Sequence, residues 1–98
     1  MADALTKIIT GIICSGGGSK RINVLDVLLR YNDMVFRGDA LCTNWVDVEL
    51  SIGGRRYGFV ACGSVLYALD YLASVGAIRI GRDGSIDLLD VELCGGSE

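Results

Sequence analysis

The sequence predicts a small α+β domain, and three observations predict it. Residues 64–75 carry a helical apolar pattern that stops at Gly76 and runs straight into a hairpin pattern over 77–89. Residues 46–52 alternate strictly between apolar and polar and are followed by Gly53-Gly54. The length, 98 residues, suits a single domain, 1–98, with no internal repeat or linker.

Taken in order, Met1 to Ala4 reads as a frayed start. Leu5, Ile8, Ile9, Ile12 and Ile13 fit one helical face; their β-branched content also suits a strand, and a short helix is the reading taken. It should end in Ser15-Gly16-Gly17-Gly18-Ser19. That run is no phosphate loop, because Ser19 precedes Lys20 and Arg21 follows where a hydroxyl is needed. Asn23 should cap a helix over Val24–Tyr31, with Val24, Val27, Leu28 and Tyr31 inward. Asp26 and Arg30 stand at i and i+4 and should pair on its exposed stripe. Asn32 to Thr43 is ill-defined, with Arg37-Gly38-Asp39 a turn and not an adhesive signal.

Trp45 to Ala61 reads as a hairpin. A two-residue Gly53-Gly54 turn sets Leu50 opposite Tyr57 and Val48 opposite Phe59 on one face. Gly58 and Gly63 should weaken the second strand and end it before Ser64.

Ser64 is the expected cap of the next helix, with Val65, Ala68, Leu69, Leu72 and Val75 recurring at helical spacing. Leu66 and Ala73 widen the apolar arc, leaving Tyr67, Asp70, Tyr71 and Ser74 as the polar wedge. Such a helix should be covered from more than one side. In the hairpin that follows, an Arg82-Asp83-Gly84 loop pairs Ile80 with Ile86 and Ile78 with Leu88, all on one face. Asp90 to Leu93 should extend the last strand, and Cys94 to Glu98 form a loose tail. A helix feeding a short hairpin is the core of a winged-helix unit. The expected fold is therefore winged-helix-like.

Composition narrows the function. Apolar residues make up 51% of the chain and charged ones 21%, with a mean hydropathy of +0.46. A domain this size buries only about 60–65% of its unfolded surface, so part of that apolar load should be covered by a partner. The longest uncharged runs, Ile8–Ser19 and Tyr57–Leu69, fall short of the ~20 residues of a membrane span. No secretory leader is recognised in the N-terminal residues, and a soluble, cytoplasmic protein is expected. Cys14, Cys42, Cys62 and Cys94 are scattered and histidine is absent. They lack the paired spacing of a zinc site, so free, mostly buried thiols in a reducing compartment are expected, with no metal or cofactor. A net charge of −3 and a pI near 4.7 argue against whole-chain nucleic-acid binding. The basic pairs Lys20-Arg21, Arg55-Arg56 and Arg79 with Arg82 remain as candidate phosphate contacts.

The segment Ala68-Leu69-Asp70-Tyr71-Leu72, Val75-Gly76-Ala77-Ile78 and Asp83-Gly84-x-Ile86 resembles a motif near the C-terminus of one group of small proteins. These are the middle components of bacterial ABC three-component systems, related to Lamassu-type anti-phage complexes. The resemblance covers about a quarter of the chain. It implies a small winged-helix-like subunit, without an active site, beside an SMC- or Rad50-like ATPase and an effector protein.

Three roles follow as expectations. The first is a non-catalytic adaptor whose contacts include Trp45, Tyr67 and Tyr71, aromatics with polar tips of the kind enriched at interfaces. Trp45 suits the core equally well. The second is a winged-helix regulator of duplex DNA, weakened by the lack of any basic residue in the Ser64–Val75 helix. If the assembly holds DNA, Lys20, Arg21, Arg55 and Arg56 could line its channel. The third, an enzyme, has no constellation behind it: Asp47, Glu49, Asp70 and Asp87 alternate with apolar residues and form no acid–base pair.

Overall fold

A computed structural model describes residues 4–17, 22–90 and 92–95. It is a small α+β domain with four helices and two antiparallel sheets. The elements are α1 (Ala4–Gly17), β1 (Ile22–Asn23), α2 (Val24–Phe36), β2 (Trp45–Ile52), β3 (Arg55–Cys62), α3 (Gly63–Ser74), β4 (Ile78–Ile80), β5 (Ser85–Leu88) and α4 (Glu92–Gly95). One sheet has the order β1-β5-β4; the other is the β2-β3 ribbon.

The core lies among α1, α2, α3 and the inner face of the three-stranded sheet. Ile9, Ile12 and Ile13 of α1 meet Val27, Leu28 and Tyr31 of α2, Val65, Leu69 and Leu72 of α3, and Ile22, Ile78 and Ile86 of the sheet. The helical periodicity of Leu5–Ile13 thus resolves as a helix, which begins at Ala4 where a frayed start was expected. Residues 18–21, and with them Lys20 and Arg21, lie outside the described residues.

Asn23 joins two parts of the fold. Its Oδ1 accepts from the Leu25 N–H at 2.9 Å, and Asp26 Oδ2 accepts from the Asn23 N–H at 3.2 Å, a reciprocal cap on α2. Its Nδ2 donates to Asp83 O at 3.0 Å in the β4–β5 turn. The i,i+4 pair expected for Asp26 and Arg30 does not form. Asp26 turns back to the cap, and Arg30 Nη1 donates to Ser15 Oγ at 3.4 Å.

Helix α2 also runs past its expected end at Tyr31, because Met34 and Val35 continue the inward face. It closes at Gly38, whose φ of +85° lets its N–H reach Val35 O and the Asp39 N–H reach Met34 O. Arg37-Gly38-Asp39 is the turn expected, and Arg37 pairs with Asp33 at 3.3 Å.

Ser64 does not cap α3. The helix begins two residues earlier than a Ser64 cap would set it, with Cys62 in the cap position and no side-chain bond there. Gly63 starts it because a Cβ there would meet Asn44 Nδ2 at 2.7 Å, and its N–H donates to Asn44 O at 2.8 Å. The Ser64 hydroxyl hydrogen-bonds Asn44 Oδ1 at 3.1 Å instead. At the other end Gly76, φ +81°, lets the Gly76 and Ala77 N–H groups reach Ala73 O and Leu72 O. Val75, expected inward, caps the helix and is exposed.

Both hairpin registers match expectation. Ile78 faces Leu88 and Ile80 faces Ile86; Leu50 faces Tyr57 and Val48 faces Phe59. Ile78 and Ile86 are buried, whereas Ile80 at the free end is exposed. Strand β5 stops at Leu88, and the expected extension over 90–93 is replaced by Leu89 and Asp90 N–H bonds to Ala77 O and the single turn of α4.

The cysteines overturn the expectation of free thiols. Cys14 is bonded to Cys94 and Cys42 to Cys62, with Cα separations of 5.4 and 5.9 Å. The first pair ties α1 to α4, so Cys94 is anchored and not part of a loose tail. The second closes the base of the β2–β3 ribbon.

Candidate interaction surfaces

The three candidate aromatics are all exposed, on two different elements. Trp45 opens β2 and is 40% exposed; its indole stacks on Phe36, itself 77% exposed, with centroids 6.3 Å apart. The end of α2 and the base of the ribbon meet here, and Val60 lies diagonal to Trp45 on the same ribbon face. Tyr67 and Tyr71, 77% and 51% exposed, stand one turn apart on the outer stripe of α3 with Ser74. That stripe is the polar wedge expected from the sequence, while Val65, Ala68, Leu69 and Leu72 face the core. Leu41, 85% exposed, was not singled out by pattern, nor was Phe36.

Between the ribbon and the β4–β5 hairpin lies a cleft of about 440 Å³. Leu50 and Ile52 form one wall, Ile80 and Arg82 the other, and Leu66 and Leu69 of α3 the floor. Glu49 and Asp70 also line it. Its walls come from segments about 30 residues apart in the chain, which is why no sequence window revealed it.

The arginines divide. Arg79 lies 3.4 Å from Asp87 across the β4–β5 pair. Arg55 and Arg56 follow directly on the ribbon turn, and Arg82 stands in the β4–β5 turn at the cleft. Among the described residues these three make no ion pair. Ile52, just before the ribbon turn, and Arg82 both line the cleft.

Tyr31 is buried, and burial holds its phenol above the ordinary value near 10, although its hydroxyl donates to Leu41 O at 2.8 Å. Among the described residues no group of three or more His, Cys, Asp or Glu could hold a metal ion. No described helix is long and apolar enough to cross a membrane. The Cys42–Cys62 bond had a signal in the sequence. In the hairpin register Cys62 falls opposite Trp45, three residues after Cys42, so the two cysteines bracket the predicted ribbon. Comparison with protein-family models, curated proteins and solved structures found no match to this chain.

Proposed function

We propose that this chain is a non-catalytic adaptor subunit of a bacterial anti-phage defence complex, bridging an SMC- or Rad50-like ABC ATPase and an effector protein. The observation that carries the reading is the uncovered apolar surface. Phe36, Leu41, Trp45, Tyr67, Tyr71 and Val75 are exposed on a chain whose core is already well filled by smaller aliphatic residues. Exposed aromatics that cluster, as Phe36 and Trp45 do, mark an interaction surface. The partners named are those that the resemblance of the Ala68–Ile86 segment implies. Support for a winged-helix-like arrangement comes from α3 feeding β4–β5 and from β1 pairing with β5, with the ribbon as an insertion between α2 and α3.

On this reading the protein works in the cytoplasm, where thiols are kept reduced, and the Cys14–Cys94 and Cys42–Cys62 bonds count against that location. Alkylation at the moment of lysis followed by mass measurement decides this. Four modified cysteines support the cytoplasmic site, and none contradicts it.

The test of function is light scattering on size-exclusion eluates, with the chain expressed alone and beside the proteins encoded next to it. Co-elution in one discrete large complex is expected. A stable monomer in both samples contradicts the adaptor reading. A second reading, a winged-helix protein that binds duplex DNA, is favoured only by Arg55, Arg56 and Arg82, which make no ion pair among the described residues. A salt-dependent shift of duplex DNA by the chain alone, lost in R79A/R82A, would establish it.

A further inference from the structure

We infer that the outer edge of β2 receives an extended segment of a partner protein in which basic and apolar residues alternate. The inference rests on the adaptor reading and specifies the chemistry of the partner.

The ribbon has two edges, and the fold covers one. Helices α2 and α3 pack against β3, and Asn32 Nδ2 donates to Val60 O at 2.7 Å. Among the described residues, strand β2 has β3 on one side and no strand on the other. An eight-residue strand with an open edge presents a row of unpaired N–H and C=O groups, which is a template for strand addition.

The two faces of β2 then state what the added strand must carry. One face holds Val46, Val48, Leu50 and Ile52, the last two lining the apolar cleft over Leu66 and Leu69. A neighbouring strand would place every second side chain over that face, so those residues should be apolar. The opposite face holds Asp47 and Glu49. Their partners in register are Val60 and Gly58, and neither acid makes an ion pair among the described residues. Lysine or arginine at the intervening positions of the added strand would meet both carboxylates directly, a favourable cross-strand pair. The Phe36–Trp45 stack lies at the end of the same strip and can take a further guanidinium over a ring face.

The same acids disfavour a second copy of this chain as the occupant in the central register. Two β2 edges paired antiparallel about Val48 would oppose Asp47 to Glu49 twice, like charge against like. A basic strand is therefore preferred.

The experiment measures fluorescence anisotropy of labelled hexapeptides against the full chain. The probes are Lys-Val-Arg-Ile-Lys-Val and its acidic counterpart Glu-Val-Glu-Ile-Glu-Val. The wild type should bind the basic peptide at least tenfold more tightly, and D47K/E49K should reverse that preference. Both substituted positions are exposed, and circular dichroism confirms that the variant is folded. Hydrogen exchange with the basic peptide bound should protect amides within 45–52 and leave 78–88 unchanged. A preference that survives the charge reversal, absence of binding of either peptide, or protection confined to other segments overturns the inference. The co-elution experiment separates it from the reading on which it rests. A complex formed by the wild type and lost in D47K/E49K supports the edge. A complex that persists in D47K/E49K overturns the edge and leaves the adaptor standing. No complex with the wild type overturns the adaptor, while the peptide reversal still decides the edge.

Discussion

The molecule contains two hairpins with the same alternating signature and different fates. The β4–β5 hairpin is short, yet a third strand, β1, pairs with it, and its inward residues Ile78 and Ile86 are almost wholly buried. The β2–β3 ribbon has eight residues in each strand, yet its inward residues Val48, Leu50, Tyr57 and Phe59 are only half-buried. A two-stranded hairpin alone is marginal in water. The ribbon is held instead at its base, by the Cys42–Cys62 bond and the Asn32–Val60 hydrogen bond. Alternation and turn type set register in both hairpins. Burial depends on what the rest of the chain provides.

That difference can be broken from either side. Ile86→Ala removes a buried side chain from the supported hairpin and should cost about 3–4 kcal/mol in urea denaturation. Leu50→Ala in the ribbon should cost only about 1 kcal/mol, because less area is lost. Equal losses would erase the distinction.

Next in size is the ribbon's staple. C42S/C62S opens a closed loop of about 20 residues and should lower stability by about 3 kcal/mol. Hydrogen exchange in the variant should quicken over 45–62 and hold steady over 78–88. Uniform acceleration would mean that the staple supports the whole domain.

Gly84→Ala tests how the supported hairpin is joined to α2. Gly84 has a φ of +83°, and a Cβ there would meet Asn23 Oδ1, the acceptor that caps α2, at 2.9 Å. A loss of about 2 kcal/mol is expected, combining backbone strain with a weakened cap. Gly53 and Gly54, with φ of +60° and +82°, have open space around them, so alanine in the ribbon turn should cost only the backbone strain.

The smallest effect concerns Tyr31, a core residue of α2 that belongs to neither hairpin. Its phenol is held neutral above the ordinary range by burial. The stability that this burial supports is present below the unfolded value near 10 and is lost as pH rises through the higher folded value. Tyr31→Phe should cost about 1 kcal/mol at neutral pH through the lost bond to Leu41 O. The variant should also lose less stability than wild type as pH rises above the ordinary phenol value near 10.

Local signals carried much of this fold. Asn23 as a cap, Gly76 as a helix stop, and the registers around Gly53-Gly54 and Gly84 were all legible, because each rests on neighbours in sequence. Strand β1 was not, since two residues cannot show a period. The early start of α3 was hidden because it depends on Asn44, far back in the chain, leaving no room at Gly63 for a side chain. The disulfides escaped a reading based on compartment. Of the candidate contacts, Tyr67 and Tyr71 were legible as the polar wedge of a helix. The Phe36–Trp45 stack and the cleft were not, because they join segments that only the tertiary fold brings together.

The role proposed for the ribbon is to hold an edge open for a partner. Hydrogen exchange of the chain alone, and then within the complex that co-elutes with its neighbours, tests this most directly. Fast exchange over 45–52 in the free chain, slowed at least tenfold in the complex while 78–88 stays slow in both, is the predicted result. Exchange over 45–52 that is unchanged on assembly would contradict it.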